Sequence, residues 1–135
     1  MLPRVNQPQT IRSSHPLGGL PSGSTLLHYA ARRGWPNTCR VLVEQYQCIL
    51  DETNDCGGNV LHIACMFGEV AVVKYLLTLR SVSAIITDRD LFGQTSLEYV
   101  TRNTYEIYSL FASIVDSRME LPVDAFFNIF MLGNS

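Results

Sequence analysis

The chain has 135 residues, 47% of them hydrophobic and 16% charged, enough for one domain with a modest core. Ten basic residues against twelve acidic ones leave a formal net charge of -2, so no field draws a nucleic-acid backbone or an anionic membrane surface. No stretch approaches about 18 consecutive apolar residues, and the N-terminus lacks the apolar core of roughly 7 to 15 residues that a secretory signal needs; the expectation is a soluble, cytoplasmic protein.

Residues 1–22 are rich in proline, glycine and serine and have no hydrophobic period. They read as a flexible lead whose end, "HPLGGLP", drapes over the first helical segment; His15 within it stands alone. "STLLHYAARRG" then places Leu27, Ala30 and Ala31 on a short helix that closes at Gly34. "PNTCRVLVEQY" opens a second helix with Pro36 in its first turn. "DETNDCGG" is turn-rich. A further helix comes next, with Leu61, Ala64 and Cys65 ahead of Gly68, and then "EVAVVKYLLTL", in which Val70, Val73, Leu76 and Leu77 form one apolar stripe. "TDRDLFG" is again a turn region and leads into "GQTSLEYVTRNT".

These segments repeat. "GSTLLHYAARRGW" returns as "GGNVLHIACMFGE", pairing Gly23 with Gly57, Leu27 with Leu61, His28 with His62, Ala30 with Ala64 and Gly34 with Gly68. A third copy keeps Gly93, Thr95 and Leu97 but has Glu98 in place of histidine. The pattern resembles the ankyrin repeat, a unit of about 33 residues with a T-P-L-H-x-A signature, and the resemblance runs over residues 20 to 115. The motif's proline is absent: Leu26, Val60 and Ser96 occupy its place. The resemblance implies an all-α stack of about three helix-turn-helix units with hairpin loops, at 23–56, 57–92 and 93–118. An irregular lead precedes the stack, and an apolar C-terminal strand or cap succeeds it at 119–135.

In ankyrin repeats the threonine and histidine of the motif tie the loop to the first helix. Thr25, His28, His62 and Thr95 would inherit that structural role, and Gly34 and Gly68 would close the helices. A histidine general base needs a nucleophile or orienting acid within reach. No serine, cysteine or carboxylate recurs beside His28 and His62 although the histidine itself does, so a non-catalytic chain is expected. The four cysteines, Cys39, Cys48, Cys56 and Cys65, read as reduced core or surface residues. His62 and Cys65 lie three apart, but no paired zinc-ligand spacing accompanies them, and no metal or cofactor is expected.

The resemblance implies two surfaces that meet partners: the hairpin tips and the concave face of the first helices. The candidate contacts are therefore Asp55, Cys56, Arg89, Leu91 and Phe92 at the tips, and Arg32, Arg33, Met66, Phe67, Arg102 and Asn103 on the helices. Trp35 adds an aromatic anchor beside them. The expected function is protein–protein interaction by a monomeric scaffold or adaptor that binds another protein, and neither nucleic acid nor membrane.

The C-terminal "SRMELPVDAFFNIFMLGNS" holds an apolar run fit for a buried strand. A strand followed by glycine resembles the start of a phosphate-binding loop, with Gly133 as its first glycine. On this alternative the chain resembles the leading, regulatory part of a Roc-type ankyrin and GTPase multidomain protein. The competing reading makes Phe126, Phe127 and Phe130 a cap on the last unit.

Overall fold

A computed structural model describes residues 19–100 and 105–117 of the protein. Its helices are α1 (Leu26–Arg32), α2 (Pro36–Glu44), α3 (Val60–Met66), α4 (Val70–Leu76) and α5 (Glu106–Ser117). Turns of 3-10 helix lie at Arg80–Ala84 and Leu97–Tyr99, and no strand occurs among the described residues. The sequence leads to an all-α repeat stack, and the structure is one.

Each first helix starts in the same way. Thr25 precedes α1 with extended backbone, its hydroxyl accepts the His28 amide, and the His28 ring accepts the Thr25 amide. Asn59 and His62 form the same reciprocal pair ahead of α3. Two amides that the helix leaves without partners are thereby satisfied at each start. This cap takes on the role that the motif's missing proline would share.

Each first helix also ends in the same way. Beyond α1, Gly34 takes φ +72°, its amide bonds the Ala31 carbonyl, and the Trp35 amide bonds Ala30. Beyond α3, Gly68 takes φ +66°, with its amide on Cys65 and the Glu69 amide on Ala64. These are paired Schellman bonds, which need a left-handed residue at the glycine. The chain is thus turned directly into the next helix. Pro36 begins α2 without a side-chain cap, which suits a residue that has no amide proton to satisfy.

The helices form two layers. α1 packs on α3, with the 3-10 turn Leu97–Tyr99 next along; α2 packs on α4, and α4 on α5. Small residues make the first layer close: Ala30, Ala31, Ala64 and Cys65 are all buried, interleaved with Leu27, Leu61 and Ile63. Val72, Val73, Leu76, Ile107, Tyr108 and Phe111 fill the second interface. Cys39, Cys48 and Cys65 are buried reduced thiols, and burial pushes the Cys39 thiol up to about 12.

The third unit differs. Its first helix is one 3-10 turn that ends where Val100 becomes extended. The segment "LEYVT" puts Val100 and Thr101 where α1 has Ala30 and Ala31 and α3 has Ala64 and Cys65, and residues branched at Cβ lose side-chain freedom in a helix. The turn Arg80–Ala84 is a second departure from the simple pattern, held by the burial of Val82, Ile85 and Ile86. Residues 119–135, with Gly133 and the apolar run, lie outside the described residues.

Candidate interaction surface

The histidines join successive units. With Nδ1 accepting the Thr25 amide proton, the neutral His28 ring carries its own proton on Nε2, which donates to the Gly58 carbonyl at 3.0 Å. His62 repeats the arrangement, donating from Nε2 to the Gln94 carbonyl at 2.9 Å. Gly58 and Gln94 are equivalent positions, each opening the following unit. In the third unit Glu98 accepts the Thr95 amide and hydroxyl, the same local bond, but a carboxylate has no proton to pass onward. Glu98 instead pairs with Arg89 at 3.2 Å.

The hairpin tips follow the same register. The Asp55 amide bonds the Ser22 carbonyl and the Leu91 amide bonds the Cys56 carbonyl, so each tip hangs on the one before it. Residues 19–22 thereby join the first tip, and Leu20 is buried there. Within the tips a polar side chain shapes the loop: Asn54 Oδ1 accepts the amides of Cys56 and Gly58, and Asp90 Oδ1 accepts those of Phe92 and Gln94. Tyr99 donates its hydroxyl to the other Asp90 oxygen. Burial raises the Asp90 carboxyl, but these hydrogen bonds outweigh it and hold the group below its ordinary value.

The proposed contact residues fall into three places. Met66, Phe67 and Phe92 share one cleft of about 170 Å³, whose lining also includes Ile63, Leu20 and Cys56. Leu91 and Phe92 project beside it, 76% and 71% exposed, the most exposed large apolar side chains among the described residues. Trp35 stands apart on the α1–α2 turn, edge-on to Tyr29, with the Arg33 guanidinium 5.3 Å from its ring.

Arg32 lies over the Phe67 ring at 4.1 Å and so adjoins the cleft. Arg89 is exposed but folds back on its own hairpin, donating to the Gly93 carbonyl at 2.7 Å as well as pairing with Glu98. The Asp55 carboxylate lies against Gly23. Arg102 and Asn103 are outside the described residues. Asn59, Asn54, Asp90 and Tyr99 escape a reading of the sequence. Asn59 is findable there, since it stands 34 residues after Thr25 with an equivalent side-chain acceptor.

The sequence model of the family described as ankyrin repeats (3 copies) matches residues 6–90. The chain belongs to the ankyrin-repeat family. The match ends ahead of the third unit, whose likeness to the other two rests on its tip and its Thr95–Glu98 pair. Comparison with curated proteins finds no match. Ankyrin repeats are in general protein-interaction modules and are typically non-catalytic. Among the described residues no helix is long and apolar enough to cross a membrane, and no group of three histidine, cysteine or acidic side chains is placed to hold a metal ion.

Proposed function

We propose that the chain is a non-catalytic scaffold or adaptor module that holds another protein across its second and third hairpin tips and the end of α3. One observation carries this reading: Phe92 from a tip and Met66 and Phe67 from the end of α3, all exposed, line one cleft, with the exposed Leu91 next to Phe92 in the tip. Such a patch on a folded unit marks a surface that is covered in use, and aromatic residues are the types that dominate binding energy.

The histidines support a non-catalytic module. Both ring nitrogens of His28 and of His62 are engaged with backbone groups of the stack, leaving neither ring a position for a substrate proton. Burial raises the Cys65 thiol, away from the exposed thiolate that a nucleophile requires.

Affinity capture from cell extract tests the proposal, using the full chain and a Leu91→Ser, Phe92→Ser variant with the same melting midpoint. Proteins retained by the first and lost by the second support it; identical recovery contradicts it.

A further inference from the structure

The cleft beside α3 has a size, a polarity and an unused donor at its edge. An apolar cavity of about 150 Å³ holds a single benzene ring, whereas sites for drug-sized ligands start near about 300 Å³. A volume of about 170 Å³ therefore suits one side chain of a partner rather than a cofactor.

The polar groups on its walls are already committed. Asn54 Oδ1 holds two loop amides, His62 is bonded at both nitrogens, and the Asp90 carboxylate accepts Phe92, Gln94 and Tyr99. What remains facing the cleft is apolar, so its occupant is apolar too.

The edge toward α1 is different. Arg32, stacked on Phe67, has a buried Nε with no hydrogen-bond partner among the described residues. Among those residues no carboxylate pairs with Arg32 or with its exposed neighbour Arg33. Buried donors are nearly always satisfied, so an orphan beside a binding surface points to an acceptor that arrives with the ligand. The Asp90 carboxylate also lines the cleft, and it repels an acid placed against it.

We propose that this cleft takes one phenylalanine or leucine side chain from an acidic segment of a partner protein, with a neighbouring carboxylate of that segment on Arg32. The proposal rests on the interaction-module reading above and names the chemistry of the partner. The apolar residue supplies burial, and the acid sets direction and excludes basic segments.

The test uses the full chain, labelled with nitrogen-15, and three synthetic peptides. The first has one central phenylalanine flanked by aspartates; the second has lysines in place of the aspartates; the third has alanine in place of the phenylalanine. The first should shift the amides of Met66, Phe67 and Phe92, and each of the others should bind about ten-fold more weakly or worse. An Arg32→Gln variant should lose about ten-fold for the first peptide, and Arg32→Met, which keeps the stem packed on Phe67 without the charge, serves should Arg32→Gln unfold the chain. Equal binding of the lysine peptide, shifts confined to other amides, or no shift at all overturns the proposal. So do concentration-dependent shifts of the same amides without peptide, which put a second copy in the cleft. In the capture experiment, undiminished recovery by the arginine variant alongside loss by the Leu91→Ser, Phe92→Ser variant overturns the acidic-segment proposal alone and leaves the interaction reading standing.

Discussion

The His28 ring donates from Nε2 to the carbonyl of Gly58, thirty residues further along the chain, while its Nδ1 holds the Thr25 amide. One buried side chain thus closes its own helix start and fastens the next unit. His62 does the same between Asn59 and Gln94. Substituting His62→Ala strands two backbone groups and opens space in the first layer. A loss of about 1 to 3 kcal/mol is expected, read as a lower urea midpoint. Every binding activity should weaken together, because the tips depend on the stack.

A fixed spacing between identical residues is the readable part of this fold. His28 and His62 recur because each unit must satisfy the same amide and reach the same carbonyl, and Gly34 and Gly68 recur because only a left-handed turn brings the chain back so sharply. Asn59 is easily missed because the requirement is for an acceptor rather than for threonine. The third unit's single turn goes with residues outside the motif's identical positions, where Val100 and Thr101, branched at Cβ, replace the alanines of α1. The cleft is only partly legible: Met66, Phe67, Phe92 and the tip residue Cys56 stand out, but Leu20 reaches it through the hanging of one tip on another, a contact with no local sequence signature.

Asp90 gives the third tip an acid-sensitive anchor. Its carboxyl lies below its ordinary value in the folded chain, so its contribution is complete above the unfolded value of about 3.9 and is lost as pH falls through the folded one. Replacing it, Asp90→Ala, should lower the melting midpoint at pH 7. The gap between the two proteins should narrow as pH is taken below about 4. Thermal melts at stepped pH check this, and a gap of constant size contradicts it.

Tyr75 bridges the second layer, donating its hydroxyl to Glu44 Oε2 at 3.1 Å, with Arg40 5.4 Å from its ring. Burial, and then the Glu44 bond, push the Tyr75 hydroxyl up to about 12. Tyr75→Phe keeps the packing and removes only the bond. It should cost about 0.5 to 1.5 kcal/mol in urea unfolding and leave partner capture unchanged.

Gly34 should tolerate no side chain without loss. At φ +72° an alanine is strained, and its Cβ would meet the Glu69 carboxylate, whose flexible end can swing aside. The backbone term therefore dominates, and Gly34→Ala should destabilise by about 1 to 2 kcal/mol, measured by the shift in urea midpoint.

The most direct measurement is site-specific photo-crosslinking, because a second exposed apolar group, Val41, Tyr46 and Ile49, lies on and after α2 in the other layer. A benzophenone side chain is placed at Phe92 in one protein and at Tyr46 in another, and each is irradiated in cell extract. The interaction reading predicts a discrete protein adduct from position 92, abolished by Met66→Ser, and none from position 46. An adduct from position 46 with none from position 92 would contradict it and move the binding surface to the second helices.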